Sequence, residues 1–107
     1  MVRISIKPLS INECWQGRRF KTTKYFSYRE ILFYLLPKIK IPSGKLKISI
    51  TIGFSNKNAD IDNPIKPFLD ALQDKYGFND KRIYKLEIEK VDVKKGSEYI
   101  DFDIKAF

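Results

Sequence analysis

Histidine is absent from the 107-residue sequence, and cysteine occurs only once, as Cys14. Without histidine, no mechanism can use an imidazole as base, nucleophile or metal ligand. One cysteine cannot form an intrachain disulfide, and it is too few for a zinc site of the usual Cys/His type. Any catalysis must therefore depend on carboxylates, Lys, Tyr, Ser or Thr, and a hard cation on oxygen ligands is the expected cofactor.

Long apolar runs are also missing. No stretch approaches the length of a membrane span, and residues 1–7 alternate instead of forming the apolar block of a signal peptide. Together with the single cysteine, this predicts a cytoplasmic protein without a membrane partner. The length fits one domain over residues 1–107, and at this size a dimer would add stability.

Positive charge is abundant, because the sequence has 21 Lys and Arg residues and only 13 Asp and Glu residues, which gives a net charge of +8. Such an excess on a short chain favours a polyanionic partner, and nucleic acid is the commonest one. The alternative is a lysine-rich surface that water simply solvates.

The apolar periodicity predicts an α+β domain with a four-stranded mixed sheet, two helices and the element order β-α-β-α-β-β. We expect strands at residues 2–7, 45–54, 82–93 and 99–104, with a long loop over 8–24. The segment 94–97 is predicted to be a hairpin turn between the last two strands.

Helical spacing predicts a first helix over residues 23–36 and a second from Pro64 to the stop signal Gly77. In the first helix, Phe26 is expected in the core. In the second, Asp62 or Asn63 is expected as the N-cap, with Pro64 at the first helical position.

Asp60 and Asp62 are the most informative acids. In extended backbone, two residues this far apart face the same side, roughly 7 Å apart along the chain. Their charges repel unless a cation lies between them, and carboxylates are ligands that Mg²⁺ prefers. Lys66 follows one helical turn later and is predicted to reach the same area. The alternative is that the acids cap a helix and that Lys66 forms an ordinary i,i+4 pair with Asp70.

The motif Asp60-Ile61-Asp62-Asn63, then Lys66, then Phe68-Leu69-Asp70-Ala71-Leu72, then Gly77-Phe78-Asn79-Asp80 resembles the RusA family of Holliday junction resolvases. The similarity extends over most of the chain, although residues 60–80 are its specific part. Upstream segments that also match are Pro8, Ser10, Asn12, Gly17-Arg18-Arg19-Phe20-Lys21 and Tyr28-Arg29.

The resemblance implies Mg²⁺-dependent cleavage of four-way DNA junctions by a homodimer that nicks two opposing strands. By position, it makes Asp60, Asp62 and Asp80 the metal-binding acids and Lys66 the essential lysine. The chain departs from the family pattern at Asn79, where relatives often have a second Asp, and at Pro64, where they commonly have an aliphatic residue.

The position of Asp80 depends on strand direction. If residues 45–54 and 82–93 formed a plain parallel β-α-β unit, Asp80 would lie at the far end from Asp60. We therefore expect an oblique helix with antiparallel neighbouring strands. The alternative is that two subunits share the site.

The basic, aromatic stretch before and within the first helix is predicted to bind DNA. Cations bind phosphates, and aromatic rings can stack on splayed bases. The alternative is that the cations are only solvated and the aromatics belong to the core. The predicted DNA-binding residues are Arg18, Arg19, Lys21, Lys24 and Arg29.

Two other functions stay open on the sequence alone. A DNA- or RNA-binding module without catalysis needs only the charge and the aromatics. A protein of the same fold could also use its acids for a structural cation alone.

Overall fold

The computed structural model describes residues 1–17 and 20–107. It confirms an α+β domain with a four-stranded mixed sheet and two helices. Two 3₁₀ turns lie at Ile11–Glu13 and Asp80–Arg82. The strands and helices are β1 Val2–Ile4, β2 Trp15–Gln16, β3 Phe20–Lys21, α1 Thr23–Leu35, β4 Leu46–Phe54, α2 Ile65–Tyr76, β5 Ile83–Asp92 and β6 Tyr99–Ala106.

The main sheet has the strand order β1-β6-β4-β5. β4 pairs with β6 antiparallel and with β5 parallel, so the expectation of antiparallel neighbours for residues 45–54 and 82–93 is wrong. β4 is central because its isoleucines at 48, 50 and 52 are almost completely buried. β5 keeps Tyr84 and Leu86 exposed, which suits an edge.

The predicted hairpin at residues 94–97 is also wrong. A turn is present there, with Gly96 at a φ of 92°, but β6 pairs with β1 and β4, not with β5. The chain instead crosses the end of β4, where the Val93 amide donates to the Phe54 carbonyl at 2.8 Å. Turn residues predict that the chain reverses its direction, but burial decides which strands lie next to β6.

The first strand is shorter than predicted, and the expected loop contains local structure. Ser10 caps the 3₁₀ turn through its side chain, which accepts from the Asn12 amide, and β2 pairs with β3 as a small hairpin. Ser10 also donates its amide to Glu13, completing a capping box. This segment therefore has a defined path next to α2.

α1 has nearly the predicted bounds but buries a different face. Tyr25, Tyr28 and Leu32 are buried, whereas Phe26 is 61% exposed, so its assignment to the core is wrong. Apolar residues surround this helix on all sides, and periodicity alone therefore could not choose its inner face.

α2 is amphipathic and packs on the sheet. Phe68 lies edge-on against Phe102 of β6, with 5.6 Å between ring centroids. Gly77 ends the helix at a φ of 71°, a left-handed conformation that favours glycine. No helix of the described residues is both long and apolar enough to cross a membrane.

Candidate active site

The acid turn, residues 60–63, connects β4 to α2. Inside it, the Asn63 amide donates to the Asp60 carbonyl at 3.4 Å, and the Ile65 amide donates to the Asp62 carbonyl at 3.1 Å. The Asn63 carbonyl accepts from the Ile11 amide at 2.8 Å, which ties the turn to the 3₁₀ turn after β1. The backbone is thus held on both sides, while the side chains of Asp60 and Asp62 are exposed.

Helix capping does not explain these acids. The N-cap of α2 is Pro64, and no side chain makes a capping hydrogen bond, so the expectation of Asp62 or Asn63 at that position is wrong. The Asn63 amide group donates to the Asp60 carboxylate instead, at 3.4 Å. Among the described residues, Asp62 forms no salt bridge. The carboxylates are therefore available for another purpose.

The donor set of the acid turn fits a hard cation. Mg²⁺ is usually bound through one or two carboxylates and keeps several waters, so two exposed carboxylates on one turn suffice. Across the described part of the chain, no group of three or more acidic or cysteine side chains is close enough to hold a metal. A third carboxylate is thus not supplied at this turn by the same chain.

Asp80 lies near the other end of α2. Its backbone amide donates to the Gln73 side chain at 3.1 Å, and Gln73 follows Lys66 by two helical turns, about 10 Å along the axis. Because β4 and β5 are parallel, the acid turn follows the carboxyl end of one strand and Asp80 precedes the amino end of the other. The structure places Asp60 and Asp62 on the same turn and Asp80 at the opposite edge of the sheet.

Lys66 lies between these two groups on α2. Its ammonium contacts the Asp70 carboxylate at 2.7 Å. This hydrogen bond is the main reason that the pKa of Lys66 is raised, and the negative charge of Asp80 contributes as well. The i,i+4 pair that was the alternative for Lys66 is therefore present. Asp70, whose side chain is 23% exposed, is the partner that the spacing from Lys66 indicated.

The family model for endodeoxyribonuclease RusA matches residues 11–101 of the 107-residue chain. The chain belongs to the RusA family. Membership implies endonuclease activity that resolves Holliday junctions, and hence branched DNA as the substrate. RusA-family nucleases are generally metal-dependent, which agrees with the donor set of the acid turn. No curated protein matched the chain.

The predicted DNA-binding cations of this RusA-family chain differ in their surroundings. Lys24 lies 3.4 Å from Glu13, and Arg29 lies 3.0 Å from Asp74. Lys21 lies over the Trp15 ring, 3.8 Å from its centroid. Arg18 and Arg19 lie outside the described residues.

The aromatic residues of the stretch are also divided between two environments. Tyr25 and Tyr28 are buried, which contradicts the expectation that they stack on bases. Trp15 is 43% exposed on the β2–β3 hairpin, and Lys21 covers one face of its ring.

A pocket of about 310 Å³ opens beside the acid turn. It lies where β1 and β4 end and β6 begins, so we call it the carboxyl-edge pocket. Sequence reasoning missed it because its residues come from four separate segments, brought together only by the strand order. Residues that line it include Glu13, Phe54, Asn56, Asp60, Asn63 and Glu98.

Proposed function

We propose that this RusA-family chain is a Mg²⁺-dependent endonuclease that acts as a homodimer and resolves four-way junctions by paired nicks. The observation that carries the proposal is the acid turn, where Asp60 and Asp62 are exposed, close in sequence and unused by the helix cap. The single buried Cys14 suits the reducing cytoplasm, where we place the protein.

In this mechanism Asp60 and Asp62 would hold the cation. When bound, Mg²⁺ would lower the pKa of the water that it binds and would neutralise negative charge on the phosphoryl oxygens. The hydrogen bond from Asn63 orients the Asp60 carboxylate, and the contact of Asn63 with Ile11 keeps the turn in place. A held backbone matters because small displacements of catalytic groups cost large factors in rate.

Lys66 is proposed to stabilise the negative charge that develops on the phosphoryl oxygens. Its raised pKa keeps the ammonium protonated, and its side chain is 57% exposed. In this proposal, Lys66 exchanges its contact with Asp70 for the DNA phosphate when the junction binds. Before the junction binds, the contact with Asp70 holds the Lys66 ammonium in place.

Asp80 is proposed to complete the site from the second subunit. The parallel pairing of β4 and β5 supports this assignment, since it separates Asp80 from the acid turn within one chain. A homodimer would also supply two active sites for two opposing strands. The exposed aromatic residues Phe26, Phe33 and Tyr34 on α1 offer an apolar surface for such an association.

The cations Arg18, Arg19, Lys21, Lys24 and Arg29 are proposed to bind DNA phosphates. Lys24 and Arg29 have carboxylate partners that they must leave when they bind a phosphate.

The test is incubation with a synthetic four-way junction and with linear duplex of the same sequences, with Mg²⁺ and with EDTA. We expect symmetrical nicks in the junction only, and only with the metal. Cleavage of duplex at the same rate would contradict junction selectivity, and equal cleavage in EDTA would contradict metal dependence.

A non-catalytic DNA- or RNA-binding module is the second candidate, favoured by the net charge of +8. The same incubation separates the two, because a binding module retards the junction in a gel and never nicks it. A cation with only a structural role would raise thermal stability and leave the junction intact.

A further inference from the structure

We propose that the carboxyl-edge pocket binds one unpaired nucleobase of the junction, next to the phosphate that is cleaved. The inference rests on the proposed function, because Asp60 belongs both to the acid turn and to the pocket wall. A nucleotide whose phosphate lies at the acid turn has its own base, or that of its neighbour, within reach of this opening.

The walls of the pocket suit a flat ring. Phe54, at the end of β4, forms an aromatic wall, and Pro8 adds an apolar surface. A volume of about 310 Å³ is at the small end of ligand pockets, which suits one nucleotide better than a base pair. Enzymes that act on nucleotides commonly hold an extruded base by stacking between such side chains.

The charge of the pocket argues against a phosphate as its occupant. Glu13, Asp60 and Glu98 contribute three carboxylates, of which Glu13 contacts Lys24, and Lys7 is the single cation among the described lining residues. A phosphate would meet net repulsion there, whereas a neutral base would not. The backbone of the DNA therefore belongs outside, at the acid turn, and the base belongs inside.

Glu98 is the residue that would select among bases. One of its oxygens accepts from the Ser55 hydroxyl at 2.7 Å and the other from the Gly96 amide at 2.8 Å. The Ser55 hydrogen bond is the main cause that lowers the pKa of Glu98, so the group stays ionised. Each oxygen keeps a second lone pair, which can accept from an exocyclic amino group. Bases with an amino group should thus be preferred over thymine.

The first experiment measures junction binding in EDTA, where cleavage is off. An abasic analogue is placed in turn at each nucleotide around the branch point of the junction. For the wild-type protein, we expect one position at which loss of the base weakens binding about tenfold, the scale of one stacked base. In Phe54→Leu, which keeps an apolar side chain, that penalty should fall to about threefold or less. A thermal melt confirms that this variant is folded.

The second experiment measures cleavage of junctions that differ only in the base at that position. The wild-type protein should cleave junctions with adenine, cytosine or guanine there faster than those with thymine, and Glu98→Gln should reduce this difference. The control is Glu89→Gln, which removes the same charge from the open face of the sheet and should keep the wild-type preference.

The outcomes separate this inference from the proposed function. If the wild-type protein nicks junctions but no abasic position weakens binding, or if the penalty is equal in Phe54→Leu, the pocket does not bind a base. An unchanged base preference in Glu98→Gln would overturn the selecting role of that residue. If the protein binds junctions with the expected penalty but never nicks them, the proposed catalysis fails and the pocket stands.

Discussion

The two ends of α2 present acids in different ways. At its amino end, Asp60 and Asp62 are exposed on a turn that hydrogen bonds hold to a neighbouring segment. At its carboxyl end, Asp80 is placed by Gln73 on a 3₁₀ turn before β5. A crossover helix runs against the strands that it joins, so the residues before and after it lie at opposite edges of the sheet. Within one chain, the acid turn and Asp80 thus lie at opposite edges of the sheet.

The largest effect should come from the amino end. Asp60→Asn and Asp62→Asn should each abolish junction cleavage while binding stays intact or becomes tighter, because a metal ligand is lost and repulsion of phosphate falls. Single-turnover nicking and gel retardation measure the two quantities. If both variants retained more than about a tenth of the wild-type rate, the acid turn would not hold the metal.

Lys66, in the first turn of α2, should have the next largest effect. Lys66→Ala should lower the rate at saturating enzyme about a hundredfold, because charge stabilisation is lost in the transition state. Lys66→Arg should recover only part of the rate, since a planar guanidinium does not replace a compact ammonium. Lys40→Ala, which removes the same charge from an exposed residue outside α2, is the matched control. A wild-type rate for Lys66→Ala on fully bound junction would leave Lys66 as the surface partner of Asp70.

Mixing two inactive variants tests most directly whether the acid turn of one subunit acts together with Asp80 of the other. If Asp80 acts across the dimer, Asp60→Asn mixed with Asp80→Asn gives mixed dimers in which one of two sites is intact. If half of the dimers are mixed, the number of intact sites should be about a quarter of the number in the same amount of wild-type protein. The mixture must be unfolded and refolded together so that subunits exchange. No recovery, with mixed dimers shown to be present, would mean that each chain builds its own site.

Removal of the basic side chains should have a smaller effect, which we expect on DNA binding alone. Arg18→Ala with Arg19→Ala should weaken junction binding and lower the salt dependence by roughly one unit of log–log slope per lost phosphate contact. Lys24→Ala is the comparison variant, because Lys24 already contacts Glu13. We expect a smaller change in slope for it. An unchanged slope in the double variant would mean that water alone surrounds these arginines.

The smallest effect should appear in thermal stability. Mg²⁺ at about ten times its Kd should stabilise the wild-type protein by about 1.4 kcal/mol, a few degrees in melting temperature. Asp62→Asn should lose most of this response. In EDTA it should melt no lower than wild type, because Asp62 makes no capping bond that the change could break. If Mg²⁺ did not change the melting temperature of the wild-type protein, this would count against a cation site formed by Asp60 and Asp62.

Much of the fold was predictable from local patterns. The α+β class, the bounds of α1 and of β4–β6 to within about two residues, and the helix stop at Gly77 follow from periodicity and turn chemistry. The inner face of α1 was not predictable, because its apolar residues surround the helix. Phe26 and Tyr25 are neighbours of similar character, and only packing against α2 and the sheet decides which is buried.

For the candidate site, the sequence by itself determined which residue types carry the chemistry. The absence of histidine, the pair Asp60 and Asp62, and the spacing of Lys66 all pointed to carboxylate-held cation chemistry, and the family match agrees. Tertiary structure alone decided how these groups are distributed. The parallel pairing of β4 and β5, the position of Asp80 and the carboxyl-edge pocket depend on strand order. Strand order follows from burial across the whole sheet, because contacts between distant segments contribute energies that no local pattern contains.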